Sequence, residues 1–212
     1  MTNYKKILNA VKKSVWKKLR NESTGHDYWH CYRVAKNVLL IGKKEKANLQ
    51  VLELTAWLHD VAAGVDKDHE IRSAQFARKF LSNLNVDQKI IKEVVNCIRK
   101  HRFSKGTRAK TLEEKIIQDA DKLDALGAIG LARLFILAGK HGQITYDPRI
   151  SPDFDYYLKH GRSNTTINHF HDKLFKLRKL LHTKTAKKIA FGREKYMKNY
   201  LERFLLEWNG KK

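Results

Sequence analysis

Apolar residues recur at helical spacing along almost the whole chain of 212 residues, and no stretch of useful length alternates as a strand would. Ile7 or Leu8, then Val11, Val15 and Leu19, line one face of 3–20. A break at 21–25 precedes Asp27, a candidate N-cap for a helix over about 28–43 with His30, Val34, Val38 and Ile41 in phase. Further helices are predicted over 48–61, about 69–84 and 87–102. After a basic loop at 103–110, one long helix is predicted over about 112–139, carrying Gly127 and Gly130 in its apolar stripe. Both prolines, Pro148 and Pro152, fall in 140–165, a long loop of the kind that often carries function. Helices over about 166–181 and 184–208 close the chain. The expected fold is all-α in one domain, 1–212. Its core spans about 25–139, a loop or lid about 140–165, and C-terminal helices about 166–209.

Composition narrows the class. Two cysteines, Cys31 and Cys97, supply neither a disulfide framework nor a cysteine zinc site. No apolar run is long enough to span a bilayer, and the basic N-terminus lacks a secretory apolar core, so a reduced, cytoplasmic location is expected. The net charge is +22. Residues 1–20 hold seven basic side chains and no acid, and 173–212 hold 13 basic against three acidic. Such termini attract polyanions, with non-specific nucleic-acid affinity as one consequence, although a solvated basic surface accounts for them equally well. Trp16, Tyr196 and Tyr200 read as packing positions.

The chemistry shows as polar residues on apolar faces. His30 is in phase with Val34 and Val38, and His59 with Leu52 and Ala56. Asp60 follows about 100° further round the same helix. Asp121 flanks a stripe through Ile117 and Ala120. A buried carboxylate is costly unless it is paired or bound to a metal. Two His and two Asp directed inward from three helices fit one divalent ion held between them; a buried His–Asp pair without metal is the alternative. A mixed nitrogen and oxygen set suits Mn²⁺, Fe²⁺, Co²⁺, Ni²⁺ or Zn²⁺, with Mg²⁺ also compatible. Four protein ligands leave two positions of an octahedron for water and a phosphate oxygen.

The segments GHDYWHCYRVAKN (25–37), AWLHDVAAG (56–64) and IIQDADKLDALGAIGLAR (116–133) resemble the HD-domain metal-dependent phosphohydrolases, whose pattern is a His, an adjacent His-Asp and a later Asp. KHRFS (100–104), HFHDKLFKLRKLL (169–181) and TAKKIAFGREKYM (185–197) extend the likeness to the small bacterial YpgQ/YedJ-like subfamily over nearly the full length. The resemblance implies a compact helical HD-domain bundle with a C-terminal helical extension, and metal ligation by His30, His59, Asp60 and Asp121, with Mn²⁺ favoured. It selects Asp121 over Asp119 and Asp124. Asp124, one turn on, is either a support for the site or structural.

Other roles follow from position. Asp66, His69 and His101 are candidate catalytic residues beside the metal. Lys67, Lys122, Arg133, Tyr146, His169 and Lys173 are candidate substrate contacts, the cations for phosphate and Tyr146 for base stacking. Salt bridges, helix-end histidines and aromatic anchoring of the long loop are the structural alternatives. Extra histidines between the dyad and the last Asp hold a second metal in some members, but their paired arrangement is lacking here, so one metal is expected. The resemblance implies a metal-dependent phosphohydrolase acting on nucleotides. A nucleoside or deoxynucleoside triphosphate pyrophosphohydrolase leads, with a nucleotidase or alarmone hydrolase as the alternative. A basic nucleic-acid-binding module with a structural metal and a di-iron oxygenase are the competing classes. Oligomeric state is not encoded legibly.

Overall fold

The computed structural model describes residues 3–23, 25–63, 68–102 and 106–212. The described residues are helical, with no strand among them. The chain divides into two compact units, 1–121 and 122–212.

The first unit holds α1 (Asn3–Leu19), α2 (Tyr28–Glu45), α3 (Leu49–Leu58), α4 (His69–Asn83), α5 (Gln88–Lys100) and most of α6 (Leu112–Asp124), which runs across the division. Side chains cap four of these helices, α6 through the Thr111 hydroxyl, which accepts from the Glu114 N–H at 3.2 Å. Asp27 accepts from the His30 N–H at 2.8 Å, Asn48 from Gln50 and Val51, and Asp87 from Lys89 and Ile90. Each satisfies backbone donors that a helix start leaves without partners. α2 packs on α3, α4 on α5, and α3 on both α1 and α5. Val11, Val15, Val34, Val38, Leu52, Leu58, Leu81, Val94, Ile98, Ile116 and Ile117 are buried between them, as the periodicity requires. Several polar groups share this interior, and four of them are the residues of interest: His30, His59, Asp60 and His101.

The second unit holds α7 (Gly127–Lys140), α8 (Phe154–His160), a π-helical turn at Phe170–Leu174, the single turn α9 (Phe175–Leu177), a 3₁₀ turn at Arg178–Leu180 and α10 (Lys184–Trp208). Its core includes Leu131, Phe170, Leu174, Leu177, Leu181, Ala190 and Met197.

Three sequence expectations change here. The helix expected over 112–139 is two helices, broken at Ala125–Leu126. Gly127 takes φ +78, a conformation that favours glycine, and Arg133 Nη1 donates to the Asp124 carbonyl left open by the break. Gly130 permits the tight return, since a Cβ there would meet the Ala125 carbonyl oxygen at 2.3 Å. Within 140–165, Asp153 caps the short helix α8 by accepting from the Tyr156 N–H at 2.9 Å. The helix expected over 166–181 is present over 168–180 but is irregular, passing from a π-helical turn at Phe170–Leu174 through α9 to a 3₁₀ turn. At its start, Thr166 and Asn168 donate side-chain hydrogen bonds to the Ile144 and Ile150 carbonyls, at 3.2 and 3.1 Å. These bonds span 22 and 18 residues and tie the segment's start to distant backbone.

Gly130→Ala is expected to destabilise the chain by about 1–3 kcal/mol, because the obstructing atom is backbone. Gly139→Ala, with open space around it, should be neutral or mildly stabilising. Urea denaturation of both variants checks the pair.

Candidate metal centre

The centre lies in the first unit. His30 projects from α2, His59 and Asp60 stand just past the end of α3, and Asp121 lies on α6. His30 Nε2 and His59 Nε2 are 3.2 Å apart. Asp60 Oδ2 is 3.6 Å from each, and Asp121 Oδ1 is 3.5 Å from His30 Nε2. Donor atoms around one ion at about 2.1 Å have this spacing. Sequence reasoning selected these four residues, and the structure brings them together.

Hydrogen bonds decide which nitrogens offer lone pairs. The Ala56 carbonyl, 2.9 Å from His59 Nδ1, can only accept, so Nδ1 donates. Burial pushes the His59 ring down to about 4, and the fields of His101 and His30 add to it against the opposing pull of Asp60. A neutral ring protonated on Nδ1 leaves Nε2 bare and facing the other donors. That is the form in which imidazole binds metal.

Three more histidines surround Asp60. His26 Nδ1 lies 2.8 Å from Oδ2, and His69 Nε2 and His101 Nε2 each lie 3.3 Å from Oδ1. Burial alone would raise the Asp60 carboxyl. The field of His59 and the close approach of His101, His26 and His69 outweigh it and hold the group well below the usual carboxylate range. Asp121 is lowered in the same way, burial opposing and His30 and His59 prevailing. His101 donates from Nδ1 to the Ile98 carbonyl at 2.7 Å, so its Nε2 points at Asp60. Burial pushes His101 down, but Asp60 overcomes this and raises it. Asp60 Oδ1 is buried and closes no hydrogen bond. An anionic oxygen so placed, beside the bare Nε2 of His59, calls for a cation. The donor set therefore fits a divalent metal. Among the described residues, three triads have ligand atoms mutually within 4.8 Å: His26–His30–Asp60, His30–His59–Asp121 and His59–Asp60–His101.

His69 and His101 thus stand beside Asp60. His26 is the residue sequence reasoning missed. It precedes the α2 cap, where helical periodicity says nothing, although its place in Gly25–His26–Asp27 was visible. Asp66 and Lys67 lie outside the described residues. Asp68, at the start of α4, makes no capping hydrogen bond.

The remaining candidates belong to the second unit. Lys122 is buried. Arg133 Nη1 pairs with Asp124 Oδ2 at 2.8 Å, which gives Asp124 a partner and fastens the helix break. The Tyr146 ring meets Phe204 and Trp208 edge-on, at 6.0 and 5.1 Å between centroids. Lys173 is half-buried in the π-helical turn. His169 Nδ1 lies 3.1 Å from Ser163 Oγ, and its ring meets Tyr157 edge-on. Burial, aided by Lys173, pushes His169 down to about 3.

Residues 28–126 match the HD domain family. The chain belongs to the HD-domain superfamily. Over 187 residues it is 33% identical to YpgQ of Bacillus subtilis strain 168, an uncharacterized protein, covering 86% of this chain and 84% of that one. The crystal structure of B. subtilis YpgQ in complex with ADP matches with a TM-score of 0.76 and 29% identity, over 97% of this chain and 96% of that one. An HD-superfamily hydrolase of Bacillus thuringiensis matches with a TM-score of 0.75 and 34% identity, over 98% and 99%.

His169 yields a prediction with a definite sign. Its folded value lies below the ordinary 6.5, so between the two the unfolded chain binds more protons. The stability it contributes is complete above 6.5 and is lost as pH falls toward 3. His169→Asn should show a smaller drop in Tm between about pH 7 and about pH 4 than the parent chain. Equal drops would remove His169 from the account.

Proposed function

We propose that the protein is a divalent-metal-dependent phosphohydrolase acting on nucleotides. Its leading reaction is the hydrolysis of nucleoside or deoxynucleoside triphosphates to a monophosphate and pyrophosphate. The observation that carries this reading is the convergence of four ligand atoms from His30, His59, Asp60 and Asp121, with both imidazole Nε2 atoms 3.2 Å apart. The HD-superfamily relatives and the ADP complex of YpgQ support it.

His30, His59, Asp60 and Asp121 would hold the ion, with Mn²⁺ favoured. Bound there, a divalent ion supplies Lewis-acid polarisation of a phosphoryl oxygen and a lowered pKa for its water. The chain's own residues do the rest. The Ala56 and Ile98 carbonyls fix the tautomers of His59 and His101, so neither ring must turn during reaction. His101, raised by Asp60, and His69 beside it present N–H donors at the edge of the ligand set. There they would bind a phosphate oxygen and offer a proton to the departing pyrophosphate. His26 contacts Asp60 from the partly exposed side and orients its carboxylate. Water oxygen bonds to the α-phosphorus, the bond from that phosphorus to the bridging oxygen breaks, and pyrophosphate leaves. Lys122, Arg133, Tyr146, His169 and Lys173 stay as proposed substrate contacts, as do Asp66 and Lys67 in catalysis and binding. Cleavage of a monophosphate ester or an alarmone is the second outcome that the same donor set can serve.

Metal-stripped protein resupplied with Mn²⁺, Mg²⁺, Co²⁺ or Ni²⁺ should convert a triphosphate to monophosphate plus pyrophosphate, resolved by ion exchange. Asp60→Ala should lower the rate by about 10³-fold or more, as expected when a core group of an active site is removed. Release of inorganic phosphate from a monophosphate would redirect the reading to a nucleotidase. No turnover across mono-, di- and triphosphates and ppGpp would overturn it.

A further inference from the structure

The first unit carries an aromatic array on α1 and α2, and three of its rings are exposed. Trp16 on α1 is 43% exposed, and Trp29 and Tyr32 on α2 are 53% and 38% exposed. They form a continuous edge-to-face chain through Tyr28. Centroids are 5.1 Å apart from Trp16 to Tyr28, 5.3 Å from Tyr28 to Trp29 and 5.7 Å from Trp29 to Tyr32. Buried Trp57 lies beneath, 5.2 Å from Tyr28 and 6.3 Å from Tyr32. Trp16 is thus a surface residue, where the sequence reads as packing.

The charge on α1 has one sign. α1 bears Lys5, Lys6, Lys12, Lys13, Lys17 and Lys18 with no acid in its span. Lys12 Nζ lies 5.3 Å from the Trp57 ring centre and Lys36 Nζ the same distance from Tyr32. Trp29, Tyr32 and Lys36 recur at i, i+3 and i+7, so they share one stripe of α2. Exposed aromatic faces alternating with lysines are what single-stranded nucleic acid uses: bases stack on the rings while phosphates meet the cations.

We propose that α1 and the first half of α2 form a binding surface for single-stranded nucleic acid, with bases on Trp16, Trp29 and Tyr32 and phosphates on Lys12, Lys13, Lys17 and Lys36. Two other occupants fit worse. The apolar face of α1, Ile7, Val11, Val15 and Leu19, is already buried in the fold, so a lipid surface finds only isolated rings to embed. A second copy would bring the same positive face against itself. The inference stands on this surface alone and does not depend on the proposed hydrolysis.

The test is fluorescence anisotropy of a labelled oligo(dT) of about 15 nucleotides titrated with the full chain. EDTA is present, so that metal-dependent occupancy of the ligand set makes no contribution. Binding is expected to weaken steeply between about 50 and 200 mM KCl. The double variant Trp29→Ala/Tyr32→Ala should weaken it at least about tenfold, while Trp29→Phe/Tyr32→Phe, which keeps the stacking faces, should retain it. Lys13→Glu/Lys17→Glu should weaken it and flatten the salt dependence. Circular dichroism of each variant confirms an intact fold. Lys187→Glu/Lys188→Glu on α10 removes as much charge elsewhere and should have little effect. The proposal is overturned if the oligonucleotide does not bind, or if the α10 variant weakens binding as much as the aromatic one. It is equally overturned if phosphatidylserine vesicles bind and the oligonucleotide does not.

Discussion

The buried carboxylate of Asp60 is the constraint around which the first unit is built. Five imidazole nitrogens, from His26, His30, His59, His69 and His101, lie within 3.6 Å of its two oxygens. A lone carboxylate in such an interior would lose several kcal/mol to desolvation, on the order found for uncompensated buried ions. The histidines that donate to it offset part of that penalty and leave the rest to a cation, and the five rings come from α2 and its approach, the end of α3, the start of α4 and the end of α5. Helix lengths and junctions in this unit are set by delivering those rings to one carboxylate.

Two helix ends use the same device. His59 and His101 cap the C-termini of α3 and α5, and each donates Nδ1–H to the carbonyl three residues back. The bond brings a side-chain donor to a carbonyl of the last helical turn, and it fixes which ring nitrogen faces inward. Local helix chemistry and site chemistry are therefore one interaction. The ring packing agrees, His59 meeting His101 edge-on at 5.0 Å and His101 meeting His69 at 5.5 Å.

Much of this was legible in the sequence, because periodicity exposes polar residues that sit in an apolar phase. His30 and His59 announce themselves that way, and Asp27 is the N-cap the sequence suggests, its side chain accepting from the His30 N–H. His26 escaped because it precedes its helix. The α6–α7 break escaped because apolar phase continues through Ala125–Leu126, and only Gly127, Gly130 and the reach of Arg133 distinguish a turn from an unbroken helix. The irregular winding of the helix over 168–180 escaped because Leu174, Leu177 and Leu181 keep ordinary helical spacing while Thr166 and Asn168 bind distant carbonyls. Tertiary hydrogen bonds of that kind leave no trace in spacing.

The central claim is that His30, His59, Asp60 and Asp121 hold one divalent ion. The most direct measurement is anomalous diffraction at the manganese edge from crystals of the protein soaked in Mn²⁺. The account predicts one strong peak, with the Nε2 atoms of His30 and His59 and a carboxylate oxygen from each aspartate about 2.1–2.2 Å away. A peak bound elsewhere, or no peak while all four side chains remain ordered, would contradict it.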